Sequence, residues 1–328
     1  MTAHRSHLST VIADYLALKQ ALGRQFFHER RVLTNLEHFL APRTPGGPSI
    51  TPDAFAAWCL TFTHLCPTSR RNRMRIVRNL CLYIRRTEPS YYVPDPATFP
   101  TPQAPRRPYI FSKADIVRIL RTADGLPPRS TSPLRGPMMR LAVVLLYTAG
   151  LRRGELVRLV LSDYDPIEST LLIRRSKFHK SRLVALSPGA VRELEAYLLV
   201  RRRLPHEADA PLLVCRRRGL RARSGAGLGQ SLRRLFQDAG VRTARGGAPR
   251  VHDLRHTHAV HVLLRWYRAG MDVQAKLPAL ATSMGHVSIV STAYYLAMLS
   301  PVVEAANERF ARHCAALFTQ PSSEGGEE

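Results

Sequence analysis

His252 and Arg255, three residues apart, open the segment of this chain with the most chemical potential. The run Val251-His252-Asp253-Leu254-Arg255-His256 follows Pro249, so a helix start is expected and the two side chains share a face. Imidazole and guanidinium both donate hydrogen bonds. Together they suit a phosphodiester whose non-bridging oxygens gain charge in a transition state. The run also has His at i and i+4, as in H-E-x-x-H zinc motifs with Asp in place of Glu. Against a metal, Arg255 would set a cation beside the ion. Asp253 is a poor geometric substitute for the glutamate base, and no third ligand is signposted.

Other candidates stand at a distance. Gly285-His286 follows an apolar stretch, and Tyr295 lies nine residues on, with Tyr294 beside it. A phenol is a weak nucleophile at neutral pH and needs a phosphate that charge and oriented donors activate. Upstream, Gly150 is the expected stop of an apolar helix over residues 138–149. Arg152 comes just after it, where a buried helix end can hold a guanidinium rigidly at a cleft floor. Glu155 is close enough to orient it, although a purely structural Arg–Glu pair would look the same. Residues 171–175 and 181–186 read as strand, turn, strand. Lys177 then sits at the hairpin tip, with Lys180 as the alternative and an exposed turn lysine as the plainer reading.

The charge balance says what these groups would meet. Across 328 residues, 49 Lys+Arg against 24 Asp+Glu give a net charge of +25. That excess creates a positive surface potential that favours a polyanion. The basic residues are mostly arginine, which forks onto phosphate oxygens. An arginine-rich genome would explain arginine over lysine, but not the shortage of acids. Nucleic acid is the first partner to consider, and His256, His258 and His261 are read as packing or DNA-facing residues. Five scattered cysteines with no C-x-x-C pair suit buried thiols in a reducing cytoplasm. There is no signal-peptide h-region and no membrane-length apolar run, so a cytoplasmic protein is expected.

The elements that must position these groups fall into two parts. From residue 8 to about 40 apolar positions recur at helical spacing, with Ser9 or Thr10 as the cap and Pro42 as the close. Thr51-Pro52-Asp53 opens a second helical stretch through residue 62. A third, 69–86, interleaves apolar positions with Arg70, Arg71, Arg73, Arg75 and Arg78. One face packs and the other is densely positive. A solvated basic face has the same composition, but the overall charge favours a DNA-backbone contact. Seven prolines between residues 88 and 108 predict an extended connector and a domain boundary. The second part begins with a helix capped at Ser112. It contains the hairpin, a helix over 188–200 and an Arg/Gly-rich loop over 216–229, expected to be mobile without a polyanion. A terminal helix over 301–317 and an acidic tail close the chain.

In order, the chain carries G-L-R-x-x-E (Gly150 to Glu155), a hairpin lysine (Lys177), H-x-L-R-H (His252 to His256), Gly285-His286 and a tyrosine nine residues on. This series resembles the tyrosine recombinase (phage integrase) family across about 110–300, and the family's helical core-binding domain fits the first hundred residues. The resemblance implies a mainly α fold with a small antiparallel β-sheet, arranged as a two-domain clamp around duplex DNA. Residues 1–88 would be the core-binding domain, 89–109 the linker, 110–320 the catalytic domain and 321–328 the tail. It implies that Arg152 and Arg255 clamp the scissile phosphate, supported by Glu155. His252 and His286 would hydrogen-bond it and assist proton transfer, Lys177 would protonate the departing 5′ oxygen, and Tyr295 would attack phosphorus. The nine-residue interval from His286 favours Tyr295 over Tyr294. The family uses no metal and no nucleotide, and conserves bond energy in a 3′-phosphotyrosine.

The partners implied are double-stranded DNA, further copies of the chain in a synaptic tetramer, and sister recombinases or accessory proteins, with no membrane. The terminal helix would dock on a neighbouring copy or pack on its own domain. Tyr-Tyr-Leu, in place of the commoner Tyr-Thr-His, looks like transposon-borne branches. Three readings compete with site-specific recombination: DNA relaxation by a type IB topoisomerase, a catalytically silent DNA-binding protein and a zinc hydrolase.

Overall fold

The chain divides into two compact units, Met1–Arg106 and Arg107–Glu328. The computed structural model describes residues 7–23, 26–42, 49–104, 106–174, 181–205, 207, 209–216, 220–286, 304, 307, 308, 310 and 311.

The first unit packs α1 (His7–Ala21), α2 (Phe27–Leu40), α3 (Pro52–Leu60) and α4 (Pro67–Ile84) around Leu33, Leu36, Trp58, Val77 and Leu80. The helical spacing over 8–40 belongs to two helices. Gly23 (φ 77°) and Phe26 (φ 47°) adopt left-handed backbone between them, which α-helix cannot continue through. Ser9 is not a cap, because α1 already begins at His7, and its hydroxyl bonds the Glu37 carboxylate on α2 instead. Thr51 does cap α3, accepting the Ala54 N–H at 3.2 Å, with Pro52 at the first helical position.

The proline-rich segment is held on this unit. Tyr91, Tyr92 and Val93 pack against its core, and the buried Phe99 ring lies 6.4 Å from that of Phe55. Prolines leave a stretch rich in carbonyls and poor in N–H groups, and those carbonyls need donors. Two arginines of α4 supply them: Arg78 Nε donates to the Pro94 carbonyl at 3.1 Å, and Arg71 Nη1 to that of Pro100 at 3.2 Å.

The second unit is organised on α6 (Arg135–Thr148), which is buried around nearly its whole circumference from Met138 to Leu146. It packs on α5 (Lys113–Asp124), α8 (Pro188–Arg201) and α10 (Val251–Arg268), and α7 (Arg153–Leu156) follows it. Ser112 and Asp115 form a reciprocal capping box at the start of α5. A three-stranded antiparallel sheet runs β1 (Tyr164–Asp165), β2 (Thr170–Ile173), β3 (Arg182–Ala185). In its register Leu171 faces Val184 and Ile173 faces Arg182, so Arg182 lies on the side of the sheet that faces the core. After a second, two-stranded sheet come α9 (Gly225–Asp238), α10 and α11 (Val273–Met284). No helix among the described residues is long and apolar enough to cross a membrane.

The expected mobile loop over 216–229 is a correction. β4 (Val214–Arg216) pairs with β5 (Leu220–Ala222), and α9 starts at Gly225. Ser224 caps that helix by accepting the Gly227 N–H at 3.1 Å, and Leu228 and Leu232 anchor it in the core. Arginine and glycine content masked a hairpin and a helix start whose signals are a serine cap and two leucines four apart.

If residues 89–100 belong to the first unit, truncating their buried ring must destabilise it. Phe99→Ala is expected to cost about 3 kcal/mol in urea unfolding of the full chain, as for a core aromatic. A change within about 0.5 kcal/mol, the usual range for a surface position, contradicts this.

Candidate active site

The end of α11 is where the site assembles. Gly285 stops the helix in left-handed backbone (φ 66°, ψ 43°). Its N–H bonds the Thr282 carbonyl at 2.9 Å, and the His286 N–H bonds that of Ala281 at 2.8 Å. This is the two-bond closure that a terminal glycine produces. Among the described residues the next three carbonyls, of Ser283, Met284 and Gly285, receive no main-chain donor, and each takes a guanidinium. Arg182 Nε donates to Ser283 at 2.8 Å, Arg255 Nη2 to Met284 at 2.5 Å, and Arg152 Nη2 to Gly285 at 2.7 Å. The negative end of the helix dipole favours this gathering of cations.

Glu155 holds two of the three together. Arg182 donates Nη1 and Nη2 to its two carboxylate oxygens at 3.1 and 2.9 Å. Arg152 adds Nη1 at 2.7 Å and its main-chain N–H at 2.9 Å. Burial alone would raise the Glu155 carboxyl; the hydrogen bonds from Arg182 and Arg152 and the Arg182 charge outweigh that and hold it at about 2. Arg255 is the deepest of the three, only 1% exposed, and ties Gly150 to the same cluster through Nη1 on its carbonyl at 2.5 Å. The Arg152 side chain is 27% exposed, so it is the guanidinium that reaches solvent.

Both motif glycines have steric reasons. A Cβ on Gly285 would stand 2.8 Å from Arg182 Nη1 and 3.3 Å from Arg152 Nη1, where no real Cβ fits beside both guanidiniums. Gly150 (φ 60°) would press a Cβ to 2.6 Å from the His258 ring. That ring packs beneath the turn, with Nδ1 3.0 Å from the Tyr147 carbonyl. The Tyr147 hydroxyl meets His261 Nδ1 at 2.9 Å.

Three histidines border the arginines. His252 stands at the exposed start of α10, its ring centroid 4.8 Å from that of His256 and nearly perpendicular to it. Lost hydration and the Arg255 charge push His252 down. Burial, then the neighbouring His252 and arginine charges, push His256 down to about 3. His286, half-buried, is held at about 4 by burial and by Arg255 and Arg152. At neutral pH these rings are uncharged, so each offers one donor and one acceptor nitrogen.

Arg152, Glu155, His252, Arg255 and His286 thus converge from separate stretches of chain. Lys177, its alternative Lys180, and Tyr294 and Tyr295 lie outside the described residues. Arg70, Arg71, Arg73, Arg75 and Arg78 belong to the first unit. There Arg71 and Arg78 bond the proline-rich main chain, Arg73 lies 5.3 Å over the Phe62 ring, and Arg75 is exposed. Among the described residues no three His, Cys, Asp or Glu side chains gather as a metal-holding group. Sequence reasoning missed Arg182. The available signal was an arginine in the inward register of a core strand, where a buried cation demands an acid.

The neutral histidines give the fold an acid-sensitive range. His256 and His258 sit near 3 and 4, below their ordinary 6.5, so the unfolded chain binds their protons first as pH falls. Their contribution is complete above about pH 6.5 and is lost toward pH 4, with a slope up to about 1.4 kcal/mol per pH unit for each ring. Glu155 adds a further loss as pH falls from 4.5 toward 2. Denaturant midpoints should therefore decline steadily from pH 7 to pH 4; a flat profile refutes neutral histidines.

The profile of the phage integrase family matches residues 111–300. A putative integrase/recombinase of Sinorhizobium fredii, y4rB, is 32% identical over 306 residues, covering 92% of this chain and 96% of its own. Tyrosine recombinase XerD of Mycobacterium tuberculosis is 34% identical over 204 residues, 60% of this chain and 58% of its own. Among solved structures, the Tn1549 transposon integrase in complex with transposon right end DNA superposes with a TM-score of 0.63 at 17% identity, covering 93% of this chain and 99% of its own. XerH site-specific recombinase, in a post-cleavage complex with its difH substrate, gives 0.60 at 20% identity over 86% and 79%. The two structures share the fold, and the family profile spans more than half of the sequence around the arginine cluster: the chain belongs to the phage integrase, or tyrosine recombinase, family.

Proposed function

We propose that this chain cuts and rejoins duplex DNA at specific sites through a covalent 3′-phosphotyrosine on Tyr295. The observation that carries the reading is the convergence of Arg152, Arg255, His252 and His286 on the Gly285 turn, just ahead of the segment containing that tyrosine. Arg152 presents its outward donors to the scissile phosphate, and Arg255 places a second positive charge beneath it. His252 and His286, neutral before DNA arrives, donate to non-bridging oxygens whose charge grows as the reaction proceeds. The Tyr295 oxygen forms a bond to phosphorus and gives up its proton to a histidine ring, while the 5′ oxygen leaves with a proton from Lys177. The reverse attack by a 5′ hydroxyl of another strand rejoins the DNA and frees the tyrosine.

The charge of +25 supports non-specific hold on the phosphate backbone, in which the arginines of α4 take part. The first unit, with the proline-rich segment held on it, acts as the core-binding domain, and the second as the catalytic domain. Copies assemble on paired sites as a tetramer in the cytoplasm, alone or with sister recombinases, and the transposon-borne relatives favour a mobile element as the host.

Nicked duplexes from the ends of that element, incubated with protein in chelator, should trap a covalent adduct that peptide mass places on Tyr295. Tyr295→Phe should abolish it and Tyr294→Phe should keep it. An adduct on Tyr294 moves the nucleophile by one residue, and none on DNA the protein binds leaves a DNA-binding protein without this chemistry.

A further inference from the structure

We infer that Arg182 is a positioning residue of this site: it holds Glu155 and the carbonyl end of α11 so that Arg152 faces the phosphate. The inference rests on the cleavage reading above and adds a residue to it. Arg182 does not reach the phosphate itself. Its side chain is 9% exposed and Glu155's 2%, against 27% for Arg152. Among the described residues its hydrogen bonds run inward, two to Glu155 and one to the Ser283 carbonyl.

Glu155 balances one of the three guanidiniums, so the cluster stays positive with or without Arg182, and what Arg182 adds is position. Glu155 receives both Arg182 bonds on the oxygens that also accept Arg152 Nη1 and the Arg152 main-chain N–H. With Arg182 absent, the carboxylate is free to swing and carry Arg152 with it.

Arg182 also keys two distant pieces to each other. It is the first residue of β3, five residues beyond Lys177, and its Nε bond grips α11 at Ser283, two residues before the Gly285 turn. The strand that returns from the lysine hairpin and the helix that leads to the tyrosine are thereby fixed in one register. Gly285 permits this, since any side chain there would occupy the Arg182 guanidinium position.

The test uses the full chain in chelator on the nicked duplex, reading single-turnover adduct formation at saturating protein and DNA affinity separately. Arg182→Met should slow cleavage about a hundredfold, as misplacement of a clamp does, while affinity changes less than about threefold. Arg182→Lys, which restores charge without the fork, should recover about tenfold of that loss. Adding Glu155→Gln to Arg182→Met should cost less than the product of the single losses, because the two act as one unit. If Arg182→Met does not fold by circular dichroism, Arg182→Lys against wild type carries the test, with about tenfold slower cleavage at unchanged affinity expected. Cleavage within about threefold of wild type in the folded variants, affinity falling in step with rate, or multiplicative losses would each overturn the inference. Wild type that binds this DNA yet forms no adduct overturns the cleavage reading and the inference with it; a wild-type adduct with indifferent variants overturns the inference alone.

Discussion

Three guanidiniums on three consecutive carbonyls at the end of α11 are the constraint on which the rest of the second unit depends. Each is costly in isolation, because a buried cation loses its hydration and like charges repel. The arrangement stands because several weak compensations coincide. The helix end contributes its partial negative charge, the glycine closure turns the carbonyls outward, and Glu155 supplies the one full negative charge at the centre. Buried ion networks of this kind add little net stability compared with an apolar core. Their value is in fixing one geometry, since removing any partner leaves a charge unpaired.

The scaffold follows from that need. Arg152 has to emerge next to a rigid helix end, and α6 provides one by being buried around nearly its whole circumference and stopping just before Gly150. Arg255 needs the same turn within reach of α10, and His258 fills the space under it so that the turn cannot sink. The surrounding histidines stay uncharged first because burial strips their hydration, and then because neighbouring positive charge opposes protonation. An apolar spine, two left-handed glycines and a set of neutral rings thus serve one electrostatic centre.

How much of this was legible in the sequence depended on the range of each interaction. The face shared by His252 and Arg255, the Ser112 cap, the Gly150 stop and the Arg152–Glu155 pair lie within a few residues, and local rules describe them. Arg182 was not legible in the same way. Its sidedness is set by pairing with β2, and in a four-residue strand the alternative register would have turned Leu183 inward instead. Leu183 is in fact the exposed one. Arg71 and Arg78 show a second limit: composition marked them as positive, but their bonds to proline-rich carbonyls depend on a fold-back that composition does not encode. The hairpin and helix within 216–229 were hidden by glycine and arginine content in the same way.

The cluster has a consequence for the order of events during synthesis. The bonds from Arg152 to Gly285, from Arg182 to Ser283 and from Arg255 to Gly150 each join residues more than a hundred positions apart. Such contacts close large loops, and chains fold from their N-terminal parts as they emerge from the ribosome. A nascent chain can complete the first unit, with its basic helix, and even α6 and the hairpin, while the arginines still lack the carbonyls that align them. The arginine cluster therefore comes into being only once residue 286 has left the exit tunnel, so long-range topology makes it one of the last features of the second unit to assemble.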